Sequence, residues 1–182
     1  MTDDPDQDHD GEMIIRRELP DDVDVIRRVV TRAFADEASA DEPVEAVLVD
    51  RLRADRGWKS ELSLVAVVDR QIAGHVVCTR GYVDGRPALG LAPLSVEPAM
   101  QGRGIGSALM HAVLGAADAL GEPFVALLGN PDYYGRFGFV LASTLRIVAS
   151  DAGWGDFFQV RTLTAYDGER GTFAYATPFD GL

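Results

Sequence analysis

The chain has 182 residues, of which 47% are hydrophobic and 25% charged, and its formal net charge is −12 at pH 7. This composition is typical of one globular domain, and no apolar run approaches the roughly 20 residues that cross a bilayer, which argues against a membrane protein. The negative charge argues against a nucleic-acid-binding protein and favours cationic small substrates.

The N-terminal segment "MTDDPDQDHDGE" holds six of the 29 acidic residues and lacks the basic and apolar regions of a signal peptide. We expect a disordered acidic tail over residues 1–12 and a single domain over residues 13–182. Cys78 is the one cysteine, so neither an internal disulfide nor a cysteine zinc cluster is expected. A cytoplasmic location follows as an expectation, with Cys78 packed in a strand.

A strand and two helices are predicted first. The strand is "MIIRREL", and a proline start, early acids and helical spacing of apolar residues predict a helix over "PDDVDVIRRVVTRAF". A second helical pattern covers "PVEAVLVDRLRAD", and Gly57 is expected to end it.

Three strands follow, "LSLVAVVD", "QIAGHVVCTRGYV" and "ALGLAPLSV", with the turn signals "DRQ" and "DGRP" between them. Connections this short join antiparallel neighbours. Pro93 interrupts the third strand, and because proline inside a sheet is found at edges or bulges, we expect a bulge there.

Apolar residues from Ile105 onwards recur at helical spacing until Gly121, and the apolar run "PFVALLG" is typical of a buried strand. A crossover of this length makes the strands before and after the helix parallel, so the prediction is a mixed, largely antiparallel sheet flanked by helices. The bulged strand would splay from its parallel neighbour and open a slot. The last predicted strands are "LRIVAS", "FFQVRTLTAY" and "GTFAYATPF", with "DGER" between the last two.

The loop "QGRGIGS" at positions 101–107 stands directly before the helix that begins at Ile105. Its glycines are Gly102, Gly104 and Gly106, and its polar residues are Gln101, Arg103 and Ser107. Glycines at a helix N-terminus allow close approach of a ligand, and the unpaired amides favour an anion. A phosphate-transfer loop needs a lysine after its last glycine, which is absent here. A dinucleotide-binding fingerprint needs the spacing G-x-G-x-x-G directly after the first strand, which is also absent. A pyrophosphate at the loop and a slot leading towards it suit coenzyme A.

The order strand, "VEPAMQGRGIGSAL", helix, strand and then "YYGRFGF" resembles the GNAT superfamily of N-acetyltransferases over roughly positions 13 to 140. The segments "FFQVRTLTAY" and "GTFAYATPFD" further resemble its YhbS-like branch. In that family the motif Q/R-x-x-G-x-G/A cradles the acetyl-CoA pyrophosphate, and Gln101, Gly104 and Gly106 fill it here. The resemblance implies a GNAT-type sheet and acetyl-CoA as the acyl donor, with no metal. It also implies direct attack on the thioester by a primary amine, either of a small molecule or an exposed amine of a protein. The alternative is a non-catalytic acyl-CoA-binding sensor or interaction module.

The resemblance also implies which residues bind the cofactor: Leu94, Ser95, Val96, Gln101, Gly102, Arg103, Gly104, Ile105, Gly106, Ser107 and Asn130. Backbone amides near Leu94 and Val96 would bind the acetyl carbonyl and the pantetheine chain. Many members have an asparagine seven residues before the catalytic tyrosine. Asn130 stands only four before Tyr134, so this sequence departs from that pattern.

By the family pattern, Tyr134, four residues before Gly138, is the general acid to the CoA sulfur, and Tyr133 is the competing candidate. A phenol with a pKa of about 10 can protonate a thiolate if water is excluded from the site and the two groups are aligned. The candidate bases are Glu97, Asp132 and His75, although a histidine in a strand is also typical of a hydrogen-bonded core residue.

The acidic connection "DEASADEPVE" between the first two helices either attracts a cationic amine or is a solvated loop. The edges of the predicted sheet could pair with a second copy of the chain, so a homodimer is a further expectation.

Overall fold

The structure is a computed structural model that describes residues 12–36 and 41–180. Apart from Glu12, the predicted acidic tail lies outside the described residues, and so does Glu37 of the acidic connection. No helix within the described ranges is long and apolar enough to cross a membrane.

Four helices and ten strands are found in these ranges. The helices are α1 (Val23–Ala33), α2 (Val44–Arg53), α3 (Ile105–Ala119) and α4 (Pro131–Tyr134). The strands are β1 (Met13–Arg17), β2 (Ser63–Val68), β3 (Gln71–Val83), β4 (Arg86–Leu91), β5 (Ser95–Val96), β6 (Phe124–Leu128), β7 (Val140–Leu141), β8 (Ile147–Ala149), β9 (Phe158–Thr162) and β10 (Gly171–Ala174).

The strands form one mixed sheet in the order β1-β2-β3-β4-β6-β9-β7, and both β5 and β10 also pair with β3. The meander β2-β3-β4 is antiparallel, whereas β4 and β6 are parallel, as the helix crossover predicts. The predicted mixed, largely antiparallel sheet with one parallel strand pair at the slot is therefore confirmed. Although only a short segment separates β9 from β10, β10 pairs with β3 and, in parallel, with β8.

Helices cover the two faces of the sheet. Leu109, Met110 and Val113 of α3 pack on one face against a core that includes Cys78, which is fully buried there. On the other face α1 and α2 pack against Val65. Burial of apolar side chains on both faces is the main stabilising contribution and explains why β2 and β3 are apolar almost throughout.

The predicted bulge lies at Pro93, between β4 and β5. Cys78 pairs with Leu91, and His75 pairs with Ser95, so β3 advances by three residues (78 − 75) while its partner advances by four (95 − 91). One extra residue on one strand defines a β-bulge, which bends that strand. The parallel pairing of β4 with β6 stops at Gly90, and within the part of the chain described β5 does not pair with β6. The sheet therefore forks after Gly90, which opens the predicted slot.

Candidate functional site

The loop before α3 has the conformation that its glycines permit. Gly102 and Gly104 have φ angles of +76° and +80°, and a Cβ at either position would meet nothing within 4 Å. Glycine is therefore favoured there by backbone conformation rather than by crowding. Gly104 is the N-cap residue of α3, and the first amides of this 15-residue helix point into the space beside the loop. We refer to this space as the anion cradle, because unpaired amides at a helix N-terminus favour an anion.

Gly106 has a different role from the two glycines before it. A Cβ at this position would lie 2.9 Å from the hydroxyl oxygen of Tyr133, so a bare backbone gives that tyrosine room to approach α3.

A cavity of about 660 Å³ joins this loop to the fork. The predicted site residues that line it are Leu94, Val96, Gln101, Gly102, Gly104, Ile105, Gly106, Ser107, Asn130, Tyr133 and Tyr134. The other lining residues are Ala33, Phe34, Met100 and Arg136, which the sequence interpretation missed. Arg136 lies inside the "YYGRFGF" segment, so the motif itself could have indicated that this arginine lies at the site. Ala33 and Phe34 reach the cavity from the end of α1 through tertiary packing, for which the sequence has no local signal.

Five predicted site residues do not line this cavity: Ser95, Arg103, Glu97, and the candidate bases His75 and Asp132, which are described below. The buried Ser95 hydroxyl lies 3.4 Å from the carbonyl oxygen of His75 and donates to it, and Arg103 is exposed. The Glu97 carboxylate accepts hydrogen bonds from Arg32 at 3.2 Å and lines a second cavity of about 710 Å³. Glu97 is thus ion-paired and faces a different space from the two tyrosines.

Tyr134 and Tyr133 lie side by side at the cavity, with ring centroids 4.9 Å apart in an edge-to-face arrangement. Burial raises the pKa of Tyr134 to about 12, and Tyr133 adds to this effect. Tyr134 is therefore a neutral phenol at neutral pH and a potential proton donor. The Arg136 guanidinium lies 4.1 Å from the centroid of the Tyr133 ring, a cation–π contact that holds both groups at the rim.

His75, a candidate base, lies in the core under α1 and α2. Its Nε2 lies 3.0 Å from the Ser63 hydroxyl and 3.5 Å from the Glu18 carboxylate, and burial lowers the pKa of His75 despite that carboxylate. Burial acts to raise the pKa of Glu18, but hydrogen bonds from His75, Arg53 and Ser63 outweigh it and lower that pKa to about 2. His75 lines neither cavity and is a hydrogen-bonded core residue, the alternative stated above.

Asp132, the remaining candidate base, is the second residue of α4, which begins at Pro131 beside the cavity. Its backbone amide donates to the side-chain oxygen of Asn130 at 2.9 Å, so Asn130 caps this short helix and orients the two tyrosines at its end. In the acidic connection, Glu42 pairs with Arg27 at 2.5 Å. Among the residues that the structure describes, no group of His, Cys, Asp and Glu side chains is arranged to hold a metal ion.

Comparison with known proteins decides the family. Residues 30–139 match the Acetyltransferase (GNAT) family. The chain belongs to this family. It is 34% identical over 173 residues to the uncharacterized N-acetyltransferase YhbS of Escherichia coli K12, covering 92% of this chain and 99% of the relative. It is also 36% identical over 122 residues to the uncharacterized N-acetyltransferase YjhQ of the same strain, covering 65% of this chain and 64% of that one.

Two solved GNAT structures resemble the whole chain. The crystal structure of E. coli YhbS in complex with CoA has a TM-score of 0.84 at 32% identity and covers 98% of this chain and 96% of that one. A GNAT family acetyltransferase from Brucella melitensis in complex with acetyl-CoA has a TM-score of 0.75 at 35% identity, with coverages of 93% and 99%. The resemblance to the GNAT superfamily and its YhbS-like branch is thereby confirmed.

Proposed function

We propose that this protein is an acetyl-CoA-dependent N-acetyltransferase that acetylates a primary amine of a small molecule or an exposed protein amine. The observation that carries this proposal is a single cavity that joins an anion cradle, a forked sheet and the neutral phenol of Tyr134. The CoA and acetyl-CoA complexes of the two related structures support it. The net charge of −12 favours a cationic amine, and an unpaired buried cysteine suits a cytoplasmic location.

The cradle and the fork fit the two ends of the proposed co-substrate. The amides of residues 102–107 would bind its pyrophosphate. The amide of Glu97 donates to Ala73 of β3 at 2.8 Å, and because backbone groups alternate along a strand, the amide of Val96 points away from β3 and into the slot. The Gln101 side chain donates to the Val96 carbonyl at 3.3 Å and so ties the loop to the strand. Val96 would thus bind the pantetheine chain.

Acetyl-CoA supplies the acetyl thioester and a thiolate leaving group. The amine nitrogen bonds to the acetyl carbon as the carbon–sulfur bond breaks, the amine gives up one proton, and the sulfur takes up one, so the products are an amide and CoA thiol. Tyr134 holds its proton at neutral pH and donates it towards sulfur as negative charge develops there. A lysine-like amine is only about one part in a thousand neutral at pH 7, so a base acting directly or through water would also contribute.

The test is thiol release from several acyl-CoA donors across a panel of amines. We expect amine-dependent release, and Tyr134→Phe should lower kcat roughly 10- to 1,000-fold with acetyl-CoA affinity unchanged by calorimetry. Tyr133→Phe is the matched neighbour and should change kcat much less.

An unchanged kcat in Tyr134→Phe would remove that residue from the mechanism. Binding of acetyl-CoA with no amine-dependent release would instead favour the non-catalytic sensor.

A further inference from the structure

A third tyrosine, Tyr175, lies at the fork, on the C-terminal segment that follows β10. A Cβ at Gly90 would lie 2.5 Å from Cδ1 of Tyr175, so the Tyr175 ring packs directly on the bare backbone of β4. Gly90 is also the last residue of β4 that pairs with β6. The Tyr175 ring is therefore placed where the two strands part.

Tyr175 lies on the face of the sheet opposite to Tyr134. Leu89 and Leu91 belong to the core under α3, and because side chains alternate along a strand, Gly90 faces the other side. Tyr134 packs against the α3 core, whereas Tyr175 packs against a separate core that includes Phe173. Burial raises the pKa of Tyr175 above its usual range, and Cys78 and Tyr134 raise it further.

Two hydroxyl groups on this face have no hydrogen-bond partner among the described residues. Thr79 pairs with Gly90 across β3 and β4, and its fully buried Oγ1 has no hydrogen-bond partner among the described residues. The Tyr175 hydroxyl likewise has none within those ranges, whereas the Tyr166 hydroxyl donates to the Glu169 carbonyl at 2.9 Å. A buried polar group without a partner costs free energy, and the Thr79 hydroxyl is such a group. Tyr175 is half-buried and packs on the neighbouring Gly90, so its unpartnered hydroxyl is open to a ligand that could also reach this face.

The family match gives no role to this segment. It ends at residue 139, and Tyr175 lies well beyond it. The surroundings of Tyr175 are aromatic: its ring centroid lies 5.5 Å from that of Trp154 and 4.4 Å from that of Phe179. These ring contacts fix the orientation of the tyrosine.

We propose that Tyr175 is an acceptor-positioning residue whose hydroxyl oxygen accepts a hydrogen bond from the attacking amine, with Thr79 as the second polar group on that face. The amine would then enter from the side of the sheet opposite to Tyr134, with its lone pair directed at the acetyl carbon. This inference rests on the proposed function. Tyr175 stays a neutral phenol and transfers no proton, which distinguishes its role from that of the base.

The first test is Tyr175→Phe, which keeps the ring on Gly90 and removes only the hydroxyl. With benzylamine and spermidine as acceptor probes, we expect KM for the amine to rise and kcat/KM to fall by roughly 10-fold, which is the loss of one hydrogen bond. The acetyl-CoA dissociation constant and the melting temperature should stay unchanged. Tyr166→Phe is the matched control, because its hydroxyl bonds within a turn remote from the fork, and it should match the unmodified protein in amine kinetics and in acetyl-CoA affinity.

The second test needs no turnover: a crystal of the protein soaked with acetyl-CoA. An amine about 3 Å from both the acetyl carbon and the Tyr175 oxygen requires these two atoms to lie within roughly 6 Å of each other. An acetyl group held farther away, or Tyr175→Phe kinetics equal to those of the unmodified enzyme, would overturn the inference while leaving the proposed activity intact. Absence of thiol release with any amine would overturn the proposed activity instead, and the soaked crystal would still decide where Tyr175 lies.

Discussion

Gly129→Ala should displace Tyr134 without altering the anion cradle. A Cβ at this position would lie 2.2 Å from Cε2 and 2.6 Å from Cδ2 of the Tyr134 ring, whereas ordinary contact begins at 3.4 Å. The ring must therefore retreat by more than 1 Å (3.4 − 2.2 = 1.2 Å). Overpacking of this kind costs about 1–3 kcal/mol of stability, and a displacement of about 1 Å in a catalytic group can lower the rate roughly 100-fold.

We expect Gly129→Ala to lower kcat for thiol release roughly 10- to 100-fold, to lower the melting temperature by about 2–12 °C, and to leave acetyl-CoA affinity nearly unchanged. Gly115→Ala is the matched control, because a Cβ there meets nothing within 4 Å and the residue lies inside α3. Alanine should stabilise that helix by about 1 kcal/mol without changing kcat. A normal kcat in Gly129→Ala, despite a lower melting temperature, would show that the position of Tyr134 does not control the rate.

Two further predictions concern the cradle and the buried network. Gly104→Asp should abolish acetyl-CoA binding in calorimetry, whereas Gly85→Asp, with nearly the same φ in a remote turn, should lower stability and leave binding intact. The folded pKa of Glu18 is lowered, so the stability that it contributes is present above about pH 4.5 and lost as the pH falls towards 2. The pKa of His75 is also lowered in the folded protein. Below about pH 6.5 this histidine is therefore protonated in the unfolded chain before it is protonated in the folded one, and the free energy of unfolding decreases as the pH falls. Thermal unfolding between pH 7 and pH 3 should show this decline, and Glu18→Gln should flatten its lower part.

The features predicted correctly from the sequence depend on neighbouring residues. Pro93 lacks an amide hydrogen and has a fixed φ, so a proline inside an apolar strand by itself indicates a bulge. The turns before and after β3 are too short for the crossover that a parallel pair requires, so the pairing must be antiparallel. The loop before α3 carries its conformational requirement in its own glycines, two of which have positive φ.

One local signal was overlooked. Asn130 is followed by Pro131 and Asp132, an N-cap residue, a proline at the first helical position and an early acid, which together predict the start of a helix. Asn130 thus has a helix-capping role that its own neighbours in the sequence indicate. Its side chain caps α4, and it lines the cavity from that position.

The side of the fork that we propose for the acceptor was not predictable in the same way, because it is assembled from distant parts of the chain. The segment that carries Tyr175 is placed by the pairing of Phe173 with Val83 and of Ala174 with Tyr82, which lie about 90 residues earlier. Nothing in the letters of "GTFAYATPF" indicates that partner, since the same strand also pairs in parallel with β8. Once the pairing is known, the small residues opposite become meaningful: Gly90 leaves room for the ring, and the unpartnered Thr79 hydroxyl lies beside it. The part of the molecule that would choose the amine is thus the part that sequence patterns describe least, and substitutions on the C-terminal segment should alter acceptor preference while donor binding at the glycine loop stays constant.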